Sequence, residues 1–479
     1  MTFWPEPVVV QLFAGLQHIE HELLLFAVFW FVLGLADELA VDLAWIWLRL
    51  TGRVRTDRLA AGVAGTPLSG EIAVFIPAWQ EAQVIGVTVA HMLEAWPQAG
   101  LRLYVGCYRN DVATLAAAMS GVAGDRRVRL VIHARQGPTT KADCLNRLHQ
   151  AMVDDEVRSG RRFRGVVLHD AEDMVHPAAL PVIDRALAKY HMVQLPVRPE
   201  PQPGSRLVAG HYCDEFVEAH AKSMVVRDAL GAGIPAAGVG CGVSRAALGE
   251  LAALRCAEGE AGPFAAECLT EDYELGMILS HGPGGKWRGR GSTFLRLRDA
   301  DGQLIATRSY FPAQLSDAVR QKTRWIHGIA LQGWERLGWS GDGVDVWMAL
   351  RDRRGPLIAL VLAAGYALVV VEGVLTLGAW FGLVRPAPAD PALRSMLLLG
   401  LLGCLWRMGL RFAFTAREYG WVEGLLGVLR IPIGNIVAIM AGRRALAAYL
   451  RTLAGGKVSW DKTGHSLHPA RNIGTGLHS

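Results

Sequence analysis

Long apolar runs at both ends of the chain constrain its fold more than any other feature of the sequence. The first covers residues 23–48, and two more cover about residues 357–383 and 395–414. Each is long enough to cross the roughly 30 Å hydrocarbon core of a bilayer. Only 19% of the 479 residues are charged, against about a quarter in an average soluble protein. The sequence therefore predicts membrane helices on either side of a soluble domain.

Basic residues beside these runs predict how the chain is oriented. Arginines crowd residues 49–58, directly after the first run, and residues 351–354, before the second. An excess of positive charge marks the cytoplasmic side of a membrane protein, which places both segments in the cytoplasm. Because the net charge of +5 collects beside the apolar runs and not in one long patch, we expect no nucleic-acid partner. No small-residue cleavage site follows the first run, so we expect an anchor and not a signal peptide.

A fourth apolar stretch, residues 420–442, is interrupted by Gly424, Gly427, Pro432 and Asn435. A fourth span and a pair of helices lying in the membrane interface both fit this pattern. Three spans are preferred, because with an outside N-terminus they return the basic tail to the cytoplasm. The predicted organisation is an N-terminal segment with the first transmembrane helix (1–60), a cytoplasmic domain with an interface helix (61–340), transmembrane and interfacial helices (341–450) and a cytoplasmic tail (451–479).

Between the apolar runs, residues 71–300 alternate between strand and helix patterns. This rhythm is typical of a parallel, doubly wound sheet with helices on both faces. The proline-rich residues 197–205 are expected to form a loop. Strands are predicted at residues 71–76, 101–106, 128–132 and 165–168, and helices at residues 83–95, 111–119 and 141–152.

The last of these predicted strands ends in a cluster of carboxylates. Its apolar run, residues 166–168, stops at Asp170, Glu172 and Asp173, and Pro177 blocks further extension. Three carboxylates at the end of a buried strand are costly unless a positive charge lies among them. Hard oxygen ligands of this kind suit Mg²⁺ or Mn²⁺ holding a diphosphate. The alternative is an acidic turn that is simply solvated.

Polar residues follow the other predicted strands as well. Pro77 and Glu81 lie at the end of the first strand, and Asp111 comes after the second. Lys141 lies at a helix N-terminus, where free backbone N–H groups attract phosphate, although Lys141 and Asp143 can also be ordinary helix-start charges. Because ligands of open α/β sheets bind outside the carboxyl ends of the strands, we expect a nucleotide to lie at this edge.

Two further motifs complete a recognisable set. Residues 270–272 read Thr-Glu-Asp, and residues 321–325 read Gln-Lys-Thr-Arg-Trp. Together with Pro-x-x-x-Glu at residues 77–81 and the acidic residues 170–173, they run in a fixed order over about residues 71–330. In this order and spacing the motifs resemble those of the membrane-bound glycosyltransferases of family 2, the group that includes cellulose and hyaluronan synthases.

The resemblance implies a fold, a reaction and a location. The fold would be a doubly wound glycosyltransferase domain of the GT-A type inserted between transmembrane helices. The reaction would be inverting transfer from a nucleotide-diphosphate sugar, with a UDP-linked donor expected, to a glycan acceptor. The protein would lie in the bacterial inner membrane as a multi-pass protein with its catalytic domain in the cytoplasm. Its partners would then include the lipid bilayer and an outer-membrane export protein.

The resemblance also assigns roles to individual residues. Thr270, Glu271 and Asp272 would form the catalytic group, with Asp272 as the base that takes the proton of the acceptor hydroxyl. Arg324 would pair with diphosphate oxygens, and Trp325 would stack on an acceptor sugar ring. The full donor-binding set implied in this way is Pro77, Glu81, Asp111, Lys141, Asp170, Gln321, Arg324 and Trp325.

The metal motif departs from the family pattern in one respect. Its middle acid is Glu172 instead of aspartate, so the ligands of Mg²⁺ or Mn²⁺ would be Asp170 with either Glu172 or Asp173. Longer members of the most similar branch of the family carry a C-terminal domain that resembles cyclic-di-GMP-binding modules. That domain is not seen in this sequence, so regulation by cyclic-di-GMP within the chain is not expected.

Three functions are compatible with these motifs. The first is an enzyme that polymerises a glycan and exports it, and the second transfers a single sugar to a lipid or protein acceptor. The third is a scaffold that keeps the fold without turnover, against which the intact acidic motifs argue. The tail residues 460–465 are expected to fold back near the helix at residues 321–325 and close the site over the donor, with a disordered tail as the alternative.

Overall fold

The computed structural model describes residues 7–282, 291–339, 342–385, 390–456, 464 and 467–470. Its central feature is a seven-stranded sheet in which the first four strands of the chain are parallel. A second sheet has two strands. In chain order, the strands of the two sheets are β1 (Ile72–Pro77), β2 (Leu101–Tyr108), β3 (Val128–His133), β4 (Gly165–Leu168), β5 (Met192–Gln194), β6 (Val197–Pro199), β7 (Cys241–Ser244), β8 (Ser292–Phe294) and β9 (Thr307–Ser309). The second sheet is formed by β6 and β9, and the order across the seven-stranded sheet is β3-β2-β1-β4-β7-β5-β8.

Helices cover both faces of this sheet and flank it in the sequence. They are α1 (Pro7–Leu50), α2 (Ile85–Ala95), α3 (Val112–Val122), α4 (Lys141–Ser159), α5 (Ala179–Ala186), α6 (Val208–Glu218), α7 (Met224–Leu230), α8 (Arg245–Ala257), α9 (Glu271–His281), α10 (Leu315–Trp325), α11 (Gly333–Leu337), α12 (Gly343–Arg353), α13 (Gly355–Trp380), α14 (Pro391–Tyr419), α15 (Trp421–Leu429) and α16 (Ile431–Leu453). Two π-helical turns, Ala219–Ser223 and Ile326–Gln332, follow α6 and α10.

Successive residues of a strand point to opposite faces, and β1 uses both. Ile72, Val74 and Ile76 pack with α2, α3 and α5, whereas Ala73 and Phe75 pack with α4, α8 and α9. A strand that is buried on both faces needs a continuous apolar sequence, which is why β1 is an unbroken apolar run. The doubly wound prediction is therefore confirmed.

The sheet is mixed and not wholly parallel as the alternation of strands and helices suggested. Strand β7 lies antiparallel between β4 and β5, with Gly165 opposite Ser244 and Met192 opposite Val243. The expectation of a loop at residues 197–205 is also only partly right, because Val197–Pro199 forms β6 and pairs in parallel with β9. Helix α4 ends at Ser159, later than the predicted 152, because Gly160 adopts a left-handed conformation that ends the helix there.

Among the described residues, four helices are long and apolar enough to cross a membrane by length and composition: Val8–Leu50, Gly355–Trp380, Pro391–Tyr419 and Ile431–Leu453. The interrupted stretch at residues 420–442 becomes the nine-residue helix α15, a break at Arg430, and the start of α16.

Asp37, Glu38 and Asp42 of α1 are paired with residues of several other segments, mainly the end of α12 and the Arg354 that precedes α13. Asp37 accepts hydrogen bonds from Trp347 Nε1 (2.6 Å) and Arg354 (2.6 Å), and Glu38 accepts one from Arg351 (2.9 Å). Asp42 accepts a hydrogen bond from Trp406 Nε1 at 2.8 Å and pairs with buried Lys222. These carboxylates are therefore neutralised within the protein, as acids in an apolar helix must be.

Candidate active site

A cavity of about 690 Å³ opens at the carboxyl edge of β1, β2 and β4. Its size is typical of pockets that hold a small organic ligand. The structure brings nearly all the predicted site residues to its lining: Pro77, Glu81, Lys141, Asp170, Glu172, Asp173, Thr270, Glu271, Asp272, Gln321, Arg324 and Trp325. Motifs separated by up to about 250 residues of chain therefore meet in one place, as expected for the ligand-binding edge of an α/β sheet.

The acidic turn after β4, residues 169–173, presents its carboxylates in different directions. Asp170 pairs with Lys141, whose Nζ lies 2.5 Å from Asp170 Oδ1. Asp173 is buried, and its Oδ2 accepts hydrogen bonds from the Asp170 N–H (2.9 Å) and from His169 Nδ1 (2.8 Å). Asp173 therefore closes the turn from within, whereas Asp170 and the half-buried Glu172 line the cavity.

These carboxylates fit a metal ion only when a ligand completes its coordination. Within the described part of the chain, no group of three or more His, Cys, Asp or Glu side chains is arranged to hold a metal ion. Mg²⁺ is commonly held by one or two carboxylates together with substrate phosphates. Asp170 and Glu172 therefore suit a cation that arrives with a diphosphate.

Lys141 owes its position to the start of α4. The preceding Thr140 accepts a hydrogen bond from the Asp143 N–H (3.1 Å), and Asp143 accepts one from the Thr140 N–H (3.3 Å), which forms a capping box. Asp143 therefore serves the helix start, while Lys141 extends into the cavity. Burial opposes the charge of Lys141, but Asp170, Glu271 and Asp272 outweigh that effect and raise its pKa, so the ammonium group stays charged.

Asp111 is the one predicted donor-binding residue that does not line the cavity. It caps α3 by accepting a hydrogen bond from the Thr114 N–H at 3.3 Å, and it also accepts one from the Gln80 N–H at 2.5 Å. Gln80 has a positive φ of 55°, a strained conformation for a residue other than glycine. Asp111 therefore fixes the loop between Pro77 and Glu81 and shapes the cavity from behind.

The Thr-Glu-Asp motif forms the start of α9 on the opposite wall. Burial raises the pKa of Glu271, to about 8, and the neighbouring Asp272 adds to the effect. Burial also raises the pKa of Asp272, although Lys141 opposes the rise. A Cβ atom at Gly238 would lie 2.5 Å from Asp272 Oδ2 and 3.2 Å from Lys141 Nζ, and its φ is +73°. Only glycine therefore leaves room for this acid and this cation at the same point of the cavity.

The helix that carries Gln321, Arg324 and Trp325 is joined to α9 through the π-helical turn that follows it. Gln332 accepts a hydrogen bond from the Leu269 N–H at 3.0 Å. A Cβ atom at Gly328 would collide with the Thr270 side chain, so the backbone of the π-helical turn packs directly against that side chain. π-helical turns are frequent at functional sites, and this one connects the Gln-x-x-Arg-Trp helix to the Thr-Glu-Asp motif.

Two buried polar atoms of the cavity lining are unpaired within the described part of the chain. Among the described residues, neither Thr270 Oγ1 nor Gln321 Oε1 has a hydrogen-bond partner, although both atoms are buried. Buried polar groups are nearly always paired, and these two side chains line the cavity. A ligand that carries hydroxyl groups, such as a sugar, would satisfy them.

An aromatic group at one end of the cavity was not predicted from the sequence. The Trp325 ring lies 6.1 Å from Phe216, 6.5 Å from Phe311 and 6.1 Å from Tyr212, measured between ring centroids. Phe216 and Phe311 line the cavity together with Trp325. No local pattern marks these phenylalanines, because α6 and the segment before α10 meet only in the folded chain.

The predicted tail residues 460–465 lie outside the described residues, apart from Gly464. Their approach to the helix at residues 321–325 therefore stays a prediction. The short described segment that follows, residues 467–470, contacts the far side of the acidic turn, where His468 Nε2 lies 3.3 Å from the carbonyl oxygen of Asp173.

Comparison with known proteins agrees with the motifs. A family model described as glycosyltransferase like family 2 matches residues 69–328. Bacteriophage adsorption protein B of Escherichia coli (strain K12) and bacteriophage N4 adsorption protein B of Escherichia coli O157:H7 are each 32% identical over 469 residues, which covers 92% of this chain and 61% of the relative. The chain thus spans about three fifths of the length of these curated relatives. They represent the branch that the sequence resembles.

Solved structures with a similar fold are more distant. The mannosyltransferase PcManGT from Pyrobaculum calidifontis, in complex with GDP-Man and Mn²⁺, is 14% identical with a TM-score of 0.47, covering 85% of this chain and 99% of that chain. Glucosyl-3-phosphoglycerate synthase from Mycobacterium tuberculosis, in complex with Mn²⁺, UDP and phosphoglyceric acid, is 17% identical with a TM-score of 0.35, covering 60% and 86%.

Proposed function

Because the chain belongs to glycosyltransferase family 2, we propose that it transfers a sugar from a nucleotide-diphosphate donor to an acceptor hydroxyl with inversion at the anomeric carbon. One observation carries the proposal: Lys141, its ion-pair partner Asp170 and the buried acid Asp272 share one cavity at the carboxyl edge of the sheet. A cation beside a carboxylate base is what this reaction needs, since one supports the leaving diphosphate and the other accepts a proton.

The residues of the cavity divide the reaction between them. As the acceptor oxygen bonds to the anomeric carbon, its proton passes to Asp272, which acts as general base. The bond from that carbon to the diphosphate breaks, and its electron pair leaves with the nucleoside diphosphate. Lys141 and Arg324 oppose the negative charge that develops there. Asp170 and Glu172 would hold Mg²⁺ or Mn²⁺, which would further neutralise the diphosphate as a Lewis acid.

We propose that the product is a glycan built by repeated transfer and exported. The cavity extends from Lys141 to the aromatic group at Phe216, Phe311 and Trp325. Aromatic faces stack on sugar rings, so this end suits the growing glycan. It adjoins α6, which packs on the candidate membrane helix α14. A single transfer to a lipid or protein remains the alternative, and product length separates the two.

The contacts of α1 support a placement in the bacterial inner membrane. Near the start of α1, Gln17 donates a hydrogen bond to the Arg385 carbonyl (2.9 Å). Farther along the same helix, Asp37 pairs with Arg351 and Arg354. The helical rise from Gln17 to Asp37 is roughly 30 Å at about 1.5 Å per residue, which equals the thickness of the hydrocarbon core. The position along α1 where Asp37 meets Arg351 and Arg354 would lie on the cytoplasmic side, together with the catalytic domain.

Helix α16 is proposed to lie along the catalytic domain and not to cross the bilayer. At its start Arg430 binds Asp214 of α6 through two hydrogen bonds of 2.8 Å. Near its middle the Ala441 carbonyl accepts a hydrogen bond from Thr323 of α10 (3.5 Å), and near its end Tyr449 donates one to Glu335. A spanning helix could not keep both ends on one domain, so we propose three spans and a cytoplasmic tail.

Purified full-length protein tests the activity directly. A panel of sugar nucleotides is supplied with Mn²⁺ or Mg²⁺, and released nucleoside diphosphate is measured. We expect release with one donor class and none in excess chelator. The productive donor, radiolabelled, should give a ladder of products, whereas one small product would favour single transfer. No release with any donor would contradict the proposed function.

Labelling of single cysteines tests the topology, in a background that lacks the native cysteines. A cysteine at Ala454, just after α16, should resist a membrane-impermeant thiol reagent applied from the periplasmic side. A cysteine at Gly15, beyond the outer level of α1, should react and serves as the positive control. Reaction at both positions would mean that α16 is a fourth span.

A further inference from the structure

The C-terminal segment, residues 467–470, packs against the acidic turn on the side away from the cavity. Within the described part of the chain, His468 is buried, with 1% of its surface exposed. Its ring lies 6.5 Å from the ring of His91 on α2, measured between centroids. Buried polar side chains are nearly always hydrogen-bonded, so the ring nitrogens of His468 are expected to have partners in the domain.

The hydrogen bonds of His468 define which nitrogen carries the proton. Its Nδ1 accepts a hydrogen bond from the Ala470 N–H at 3.1 Å, so the neutral ring has its proton on Nε2. That Nε2–H then donates to the carbonyl oxygen of Asp173 at 3.3 Å. Just beyond the acidic turn, His91 Nε2 lies 3.0 Å from the Val175 carbonyl oxygen. Histidines from two distant parts of the chain thus hold this backbone.

The bonded carbonyl belongs to the residue that closes the acidic turn. The Asp173 N–H donates to the Asp170 carbonyl (3.3 Å), and the Asp173 carboxylate accepts from the Asp170 N–H (2.9 Å). Glu172 lies between them, so the path of its backbone is fixed by both neighbours. A shift of the Asp173 peptide would therefore move the carboxylates of Asp170 and Glu172, which line the cavity.

We propose that the C-terminal segment is part of the donor site, with His468 as a positioning residue that sets the acidic turn and, through it, Asp170 and Glu172. The proposal rests on the proposed function, because it gives these carboxylates the task of binding the metal–diphosphate group. His468 touches neither donor nor acceptor. It acts as partners of metal ligands generally do, by fixing the orientation of the ligand groups.

The test compares three variants of the full chain. His468→Leu removes the donor, His468→Gln restores an N–H group at the end of a side chain of similar reach, and Leu467→Ala changes an exposed neighbour (56% exposed) as a control. For each variant we measure release of nucleoside diphosphate against Mn²⁺ concentration, hydrogen exchange of the peptide that contains residues 169–176, and the unfolding midpoint.

We expect His468→Leu to raise the Mn²⁺ concentration for half-maximal rate by about 10- to 100-fold, the usual effect of losing a residue that orients a metal ligand. Hydrogen exchange in the acidic turn should also become faster. His468→Gln should recover much of both losses, and Leu467→Ala should change neither. A lower unfolding midpoint with a normal Mn²⁺ response would overturn the proposal and leave His468 as an anchor of the tail.

The outcome also distinguishes this proposal from the proposed function. Wild-type protein that releases no nucleoside diphosphate contradicts the function, whereas hydrogen exchange still decides whether His468 controls the turn. Active wild-type protein with an unchanged His468→Leu variant contradicts only the positioning role. A His468→Gln variant as impaired as His468→Leu would likewise refute the hydrogen bond as the cause.

Discussion

The two acidic residues that the sequence could not distinguish should fail in different ways when they are neutralised. Asp173 is 1% exposed and accepts two hydrogen bonds within the turn, at 2.8 and 2.9 Å. Glu172 is half-buried and lines the cavity. We therefore expect Asp173→Asn to act mainly on stability and Glu172→Gln mainly on the response to metal.

The size of the stability effect follows from the hydrogen bonds that are weakened. Hydrogen bonds to a charged acceptor contribute about 1.5–3 kcal/mol, and neutral ones about 0.5–1.5 kcal/mol. An asparagine oxygen can keep both contacts of Asp173 Oδ2 but loses the assistance of charge in each. The expected cost of Asp173→Asn is therefore about 2 kcal/mol. Glu172→Gln should change stability by less than about 0.5 kcal/mol, as is usual away from buried networks.

Two measurements on the purified protein test this expectation. Unfolding in denaturant, followed by tryptophan fluorescence in detergent, gives the stability difference between variant and wild type. Release of nucleoside diphosphate against Mn²⁺ concentration gives the metal response. Glu172→Gln should raise the Mn²⁺ concentration for half-maximal rate by at least about tenfold. Asp173→Asn should raise that concentration less, and it should unfold at a lower denaturant concentration than wild type. A stable Asp173→Asn protein that no longer responds to Mn²⁺, beside a normal Glu172→Gln protein, would refute the assignment.

Three further variants and conditions test other parts of the structure. Asp272→Asn should lower turnover by about 10²-fold or more, the usual effect of losing a general base, while donor binding by equilibrium dialysis stays near normal; normal turnover would exclude Asp272 as the base. Since burial raises the pKa of Asp272, kcat/KM should rise as the pH is increased from the acid side, because a base must be deprotonated to accept a proton. A flat profile would contradict this. Arg430→Met leaves Asp214 buried without its ion-pair partner and should lower the free energy of unfolding by about 3–5 kcal/mol. The double variant with Asp214→Leu should recover part of this loss, and an equal loss of stability in both variants would contradict an ion-pair origin.

The layout of the domain could be predicted because its signals are local. Strands β1 and β4 are continuous apolar runs, and the strands and helices of residues 71–168 follow one another as short segments, so their order is visible in a short window. The antiparallel strand β7 could not be predicted in this way. It has four residues, too few to show a period, and its pairing of Gly165 with Ser244 joins distant parts of the chain.

The roles of polar residues after strands were harder to predict than their positions. Asp111, Asp170 and Asp173 all follow a buried strand, which is also where a ligand binds. Asp111 became a helix cap and Asp173 closed a turn, because short acidic side chains satisfy backbone N–H groups as readily as they bind ligands. Only Asp170 pairs with the cation of the site. Which acid takes which task depends on backbone geometry that the residue type does not reveal.

The two walls of the cavity are supported by different parts of the chain. The wall with Asp170 is held by β4, by α4 and by His468 of the C-terminal segment. The wall with Asp272 starts α9, which is tied through Leu269 and Gln332 to the π-helical turn after α10. Helix α10 in turn packs on α16 through the contact between Thr323 and the Ala441 carbonyl. The distance between the proposed base and the proposed donor site therefore depends on how α9 is held against α10 and α16.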